Sequence, residues 1–382
     1  MIQTQCRHFN GYKPCGKNVE CSIRCPHLER VQRSILIVHL GALGAVLRST
    51  ALLQAVRKKY PQCLITWVTD KPADQLLRGH ALIDRVLTTG AEDLLQLKAL
   101  KFDVALVIDK SLKASGVVNS TATDQIFGFR TDSRTGAVMP ATSAATELWS
   151  LGLDDHKKFY ENEKSELQLS LEALELPFQT VPEYNLPLSN FENRLMQKRQ
   201  SEWRMVFHQP IIGINTGCSQ VIPAKKLSVE FQREIIQNLY QSGHENIVLL
   251  GGPEDTERNG RIAEKLPVFQ SPTDLGLRDG LVSVAACDVV LTGDSLGMHM
   301  AISQKKFVVA WFGPTCAQEI ELYNRGLKVL SDAECAPCWK RTCDKTRMCY
   351  DQVDLQTILQ ALKQGQRWWQ QQNEFSLSKP LF

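Results

Sequence analysis

A carboxylate and an imidazole stand close together in Thr292–Gly293–Asp294–Ser295–Leu296–Gly297–Met298–His299, between an apolar run and a helical pattern. The run 289–291 reads as a buried parallel strand, and 296–303 has helical spacing. In open α/β sheets, ligands lie beyond the carboxyl ends of strands, where helices begin. The free N–H groups of such a helix start hold phosphates. The turn 292–297 is therefore a candidate diphosphate cradle with Asp294 and His299 beside it. The other reading is an ordinary strand–helix turn in which Asp294 or Ser295 is only the N-cap.

Other residues of chemical interest sit at comparable places. Gly41–Ala42–Leu43–Gly44–Ala45 follows a first apolar strand, and glycine at Gly41 and Gly44 lets a ligand approach the backbone. It is not the G-x-G-x-x-G of a dinucleotide site. Asp109 closes the strand 104–108, where it is either a proton acceptor or a helix N-cap. Lys225 and Lys226 lie in the loop 216–227, and Gly251–Gly252–Pro253–Glu254 follows the strand 247–250.

Twelve cysteines are many for a chain without a secretion signal, and they cluster. Cys335, Cys338, Cys343 and Cys349 are spaced C-x2-C-x4-C-x5-C; Cys6, Cys15, Cys21 and Cys25 are spaced C-x8-C-x5-C-x3-C. Four thiolates make a closed site with no open position, so a metal there would be structural rather than catalytic. Zinc is the default for such ligands and iron is next. The N-terminal set would form a second site, cap the first domain or share ligands with the other set. The alternative is reduced thiols throughout.

These residues need a scaffold, and the hydrophobic pattern supplies one. Strands at 35–40, 64–69, 85–87 and 104–108 alternate with helices that include 46–59 and 91–100. Strict alternation of this kind gives a parallel, doubly wound sheet. The middle, 131–209, is less regular, with helical pieces at 145–151 and 163–173 and a proline-containing connection at 177–187. Alternation restarts with strands 211–215, 247–250, 289–291 and 307–311, helices 228–241 and 296–303, and a last helix 354–369. Two similar α/β domains are expected. The expected division is a cysteine-rich segment 1–33, a first domain 34–185, a second domain 186–353 carrying the cysteines of 335–349, and a helix and tail 354–382.

Composition bounds the function. With 382 residues, 43% hydrophobic, 22% charged and a net charge of +3, the chain is that of a globular protein without a broad basic surface. Nucleic acid is not implied. No apolar run approaches a membrane span, and 1–33 lacks a signal-peptide core. A cytoplasmic location is expected.

Taken in order, the motifs resemble those of the ADP-heptose:lipopolysaccharide heptosyltransferases, glycosyltransferase family 9. The carrying segments are Leu40–Gly44, Asn215–Thr216–Gly217–Cys218 with Lys225, Leu249–Glu254, Thr292–His299, Phe312–Gly313–Pro314–Thr315 and Glu319–Tyr323, within residues 33–363. The resemblance implies a GT-B fold, two Rossmann-like domains facing across a cleft, with cysteine-rich segments at both ends. It implies inverting glycosyl transfer without a catalytic metal, from a nucleotide-diphosphate-sugar such as ADP-heptose to a lipid-linked or surface-glycan acceptor. That acceptor leaves room for peripheral contact with the inner membrane. On this pattern Thr216, Gly217, Lys225, Gly252, Asp294, Ser295, Leu296, Gly297, Met298, His299 and Glu319 hold the donor, with Lys225 on the diphosphate and Asp294 on sugar hydroxyls. Gly41, Gly44 and Ala45 form the acceptor-side turn.

One departure stands out. The family places its general-base aspartate after the second glycine of that turn, where this chain has Ala45. Another carboxylate serves, the aspartate has been replaced in this sequence, or the chain is a weak enzyme or an inactive nucleotide-sugar-binding homologue. Asp109 is the substitute by position. The tryptophans of the family's lysine loop are also missing, with Ile222 and Leu227 in their place, which leaves the donor sugar and nucleotide open. A nucleotide-sugar epimerase of similar fold is a further reading.

Overall fold

The computed structural model describes residues 4–17 and 21–377. The chain forms two compact units, Met1–Asp155 with Glu166–Pro182, and His156–Ser165 with Glu183–Phe382.

The first unit is built on β1 (Arg33–Val38), β2 (Cys63–Thr69), β3 (Arg85–Thr88), β4 (Lys101–Val107), β5 (Ala122–Thr131) and β6 (Val138–Pro140). The sheet order is β3-β2-β1-β4-β5-β6, parallel except for β6, which pairs antiparallel with β5. Central β1 sets Ile35 between Ile65 and Val104. Helices cover both faces of a doubly wound sheet, so Ile35–Val38 are apolar at every position and all buried.

The helical pattern 46–59 is two helices, Leu43–Ser49 and Leu52–Lys59. The break has a local cause. The Ser49 hydroxyl donates to Ala45 O at 3.0 Å and the Thr50 hydroxyl to Leu47 O at 2.7 Å, competing with the backbone ladder.

The second unit repeats the plan with β7 (Ile212–Asn215), β8 (Ile247–Leu250), β9 (Phe269–Gln270), β10 (Val289–Gly293), β11 (Phe307–Phe312) and β12 (Gly326–Leu330), in the order β12-β11-β10-β7-β8-β9. Read from each unit's own first strand, the two sheets have the same order. All pairs in this sheet are parallel. The helix Leu355–Leu377 buries Ile358, Ala361 and Leu362 in this core, and Trp368 packs on Phe307 with ring centroids 5.7 Å apart.

The helix Asn190–Trp203, in the stretch read as irregular, has a full capping box. Ser189 accepts from the Glu192 N–H, and the Glu192 carboxylate accepts from the Ser189 N–H. The S-x-x-E signal was there to be read.

Candidate active site

In the second unit, the residues singled out by sequence gather at the carboxyl ends of β7, β8 and β10. Asn215 ends β7. Its carboxamide nitrogen donates to Gly217 O at 2.9 Å and lies 3.2 Å from the Thr292 hydroxyl and 3.0 Å from that of Ser295. One side chain thus fastens the β7 loop to the turn after β10. Gly297 is part of the same fastening: a Cβ there would lie 2.6 Å from the Asn215 carboxamide, well inside contact distance.

Ser295 is the N-cap residue of the helix Leu296–Ser303, yet its side chain caps nothing. Its hydroxyl is engaged with Asn215 and, at 3.1 Å, with Thr292. The first-turn N–H groups at Leu296, Gly297 and Met298 are left to another acceptor, and the helix dipole favours an anionic one.

Lys225, in the short 3-10 helix Pro223–Lys225, brings its Nζ to 3.4 Å from Asp294 Oδ2, with both side chains 16% exposed. Burial alone would raise the Asp294 carboxyl. The charge of Lys225, then that of His299, outweighs it and holds the group below the ordinary carboxylate range. The buried Thr315 hydroxyl lies near enough to help but closes no hydrogen bond of standard geometry. His299 is buried, with Nδ1 3.3 Å from the Tyr184 hydroxyl and the two rings stacked 5.9 Å apart.

On the adjoining loop the Gly252 N–H donates to Asp255 Oδ2 at 3.1 Å, and Lys226 Nζ lies 3.3 Å from Asp255 Oδ1. Thr216 turns its hydroxyl inward to Leu250 O at 3.1 Å. Glu319, in the 3-10 helix Ala317–Glu319, meets Lys158 at 3.5 Å. A cation, a fixed carboxylate and an uncapped helix start make a site that can hold a polyanion and the hydroxyls of an attached sugar. Such fixed charges stabilise a leaving diphosphate without reorganising.

In the first unit, Asp109 follows β4 and accepts the Leu40 N–H at the end of β1. Burial pushes its carboxyl up to about 6; the Leu40 hydrogen bond and Lys113 oppose the rise, and Asp70 adds to it. Asp70 is held by Lys113 Nζ at 2.8 and 2.7 Å. The turn after β1 is shorter than expected: Gly41 and Ala42 precede the helix Leu43–Ser49, and Gly44 and the half-buried Ala45 lie in its first turn. Asp109 can accept a proton near neutral pH, and Ala45 cannot.

Residues 94–348 match the family Glycosyltransferase family 9 (heptosyltransferase). The chain belongs to that family. It is a glycosyltransferase of the heptosyltransferase kind. Lipopolysaccharide heptosyltransferase 2 of Salmonella typhimurium is 24% identical over 298 residues, 74% of this chain and 83% of that protein. The solved E. coli ADP-heptose lps heptosyltransferase II shares the fold with a TM-score of 0.63 at 20% identity, over 89% of this chain and 99% of that one. The iron-containing dodecameric glycosyltransferase TibC of enterotoxigenic E. coli, also solved in complex with ADP-D-beta-D-heptose, shares it more loosely. Its TM-score in that complex is 0.53 at 13% identity, over 89% of this chain and 78% of that one. The fold class is therefore the GT-B class of these heptosyltransferases.

Within this glycosyltransferase, Asn215, Tyr184, Thr315 and Lys158 are residues that sequence reasoning did not single out as site residues. Asn215 had a signal, its place at a strand end before Thr216–Gly217. Lys158 had none, because it lies in a segment without periodicity.

The cysteine sets differ in what the structure brings together. Cys335, Cys338, Cys343 and Cys349 line one small cavity of about 20 Å3, together with Lys340, Lys345 and Arg347. That is room for about one water-sized atom. All four are free thiols, as are Cys6, Cys15, Cys21 and Cys25. Among the described residues, no three Cys, His, Asp or Glu side chains stand at metal-ligand geometry.

Proposed function

We propose that this enzyme moves a heptose from ADP-heptose, or a related nucleotide-diphosphate-sugar, to a lipopolysaccharide or other surface-glycan acceptor, with inversion at the anomeric carbon. The observation that carries the reading is the Lys225–Asp294 pair at the uncapped start of the helix Leu296–Ser303. The names of the relatives, which are lipopolysaccharide heptosyltransferases, support the sugar and the acceptor class. Asp109 takes the proton of the acceptor hydroxyl, and that oxygen attacks the anomeric carbon. The bond from that carbon to the diphosphate oxygen breaks, and the electron pair leaves with the nucleotide. Lys225 and the N–H groups of Leu296, Gly297 and Met298 hold the growing charge, while Asp294 orients the sugar.

Structural metal is part of the reading. Cys335, Cys338, Cys343 and Cys349 would hold zinc or iron, the latter as in the iron-containing glycosyltransferase TibC. Cys6, Cys15, Cys21 and Cys25 are proposed as a second set. The ion would supply cross-linking of a loop, not chemistry. Among the described residues no helix is long and apolar enough to cross a membrane; a cytoplasmic protein touching the inner membrane through its acceptor fits the proposal.

The test is purified enzyme with ADP-heptose and, for comparison, UDP- and GDP-sugars, followed by calorimetry and by release of the nucleoside diphosphate in the presence of acceptor. Binding and acceptor-dependent ADP release are expected. Failure to bind any of these donors, or sugar interconversion without acceptor, would refute it.

A further inference from the structure

Residues 156–165 belong to the second unit, although the chain on both sides of them belongs to the first. Within this segment Lys158 has two partners. Its Nζ is 3.5 Å from Glu319 Oε1 and 4.1 Å from the centroid of the Trp339 ring. The Lys158 side chain is 23% exposed and that of Glu319 12%. The backbone is tied as well, since Gln318 Nε2 donates to Lys158 O at 3.1 Å and to Phe159 O at 3.3 Å.

Trp339 comes from between Cys338 and Cys343; it is 39% exposed, yet two hydrogen bonds fix it on the donor loops. Its backbone N–H donates to Pro314 O at 2.8 Å, and its indole N–H to Cys316 Sγ at 3.2 Å. It sits at φ 51°, a left-handed conformation that costs a bulky residue energy and persists only where surroundings impose it. Cys316 is buried and lies within electrostatic reach of both Glu319 and Asp294. The same cysteine segment touches the donor loops at a second point. A Cβ on Gly313 would lie 2.8 Å from Cys349 Sγ, so the loop 313–316 and Cys349 are in direct contact.

We propose that Trp339 and Lys158 are positioning residues for the nucleotide-sugar. Trp339, fixed on Pro314 and Cys316, presents its ring to the Lys158 ammonium, and Lys158 in turn holds the Glu319 carboxylate in place for the donor. A cation over an aromatic ring and against a carboxylate is confined from two directions, where either contact alone would leave a long lysine free to move. The cysteine segment thereby acts on the donor loops through a named side chain. The inference rests on the donor assignment of the second unit.

The experiment uses the full chain, with ADP as the probe in calorimetry and amide hydrogen exchange without ligand as the second readout. Trp339→Ala and Lys158→Met should each weaken ADP binding about five- to tenfold, the size expected for losing one partly buried cation–π or ion-pair contact. Trp339→Phe, which keeps a ring under Lys158, should stay within about twofold. The double variant should be no worse than the weaker single one, because the two residues act through one contact. Exchange should speed up over 313–319 in Trp339→Ala. Unchanged ADP affinity in folded Trp339→Ala, or additive losses in the double variant, would overturn the proposal. If the wild type itself binds no ADP, the donor reading fails. Faster exchange over 313–319 in Trp339→Ala would then still support the brace, and unchanged exchange would overturn that too.

Discussion

The single most consequential residue is Asp109, because the turn that should carry the base carries Ala45. Its carboxyl is pushed from 3.8 up to about 6, chiefly by burial. A base of that kind is ionised at pH 7 and lost below about pH 6, so kcat/KM should fall on the acid side with a limb near that value. Asp109→Asn should lower kcat by about 10²–10⁴-fold. Stability carries the opposite sign from a salt-bridged carboxylate. A folded pKa raised above the unfolded one favours the protonated form. The stabilisation is full below about pH 4 and is lost as pH rises through about 6. Asparagine mimics that form, so Asp109→Asn should raise Tm at pH 8 and leave it nearly unchanged at pH 4. The gain at pH 8 is at most on the order of 2–3 kcal/mol, the free energy of a two-unit shift. A pH–rate profile and two melting curves check this. A profile without an acid limb near 6, together with near-wild-type turnover in Asp109→Asn, would remove Asp109 as the base.

At the scale of elements, the helix Leu296–Ser303 was legible to the residue. A buried strand, a small-residue turn and an apolar helix succeed one another there without interruption. The helix Leu43–Ser49 was not, since the competing hydroxyls of Ser49 and Thr50 interrupt an amphipathic period without changing it. β5 and β6 also escaped, because most of β5 is exposed or half-buried and its buried pair, Gly128 and Phe129, is too short to read as a strand core. The partner contacts of the donor turn, above all Asn215 against Gly297, are tertiary, and no spacing rule reports them. They make a prediction about the element. Gly297→Ala places a methyl 2.6 Å from the Asn215 carboxamide, and overpacking of this kind costs about 1–3 kcal/mol. Because the helix start must shift, ADP affinity should fall about tenfold, equivalent to about 1.4 kcal/mol. Asn215→Ala in the same chain removes the obstacle. It should recover much of the melting temperature but not the affinity, since the fastening of Thr292 and Ser295 is lost with it. Equal melting temperatures for wild type and Gly297→Ala would show that the site takes a methyl without overpacking and would remove this prediction.

At the scale of the whole chain, two rounds of strand–helix alternation announced two units, and the shared sheet order shows that they repeat one plan. The excursion of residues 156–165 into the second unit had no sequence signal, because nothing periodic marks it. The cysteines were legible as clusters, and what they do rests on chemistry that can be measured. Four free thiols around a cavity of about 20 Å3, with Lys340, Lys345 and Arg347 beside them, form a place where thiolates and an ion would compensate one another. A single ion there would cross-link a segment with little regular structure to the loop that carries Gly313 and Pro314. Protein purified without added metal should therefore contain about one equivalent of zinc plus iron, or two if the N-terminal set also closes. Cys338→Ser with Cys343→Ser should remove the C-terminal equivalent and lower Tm, because binding to the folded chain alone is a stabilising term. Chelator treatment should reproduce the loss in the wild type and not in the double variant. Less than about half an equivalent of zinc plus iron together in the wild type would end the metal assignment, leaving eight reduced thiols at the two ends of the chain.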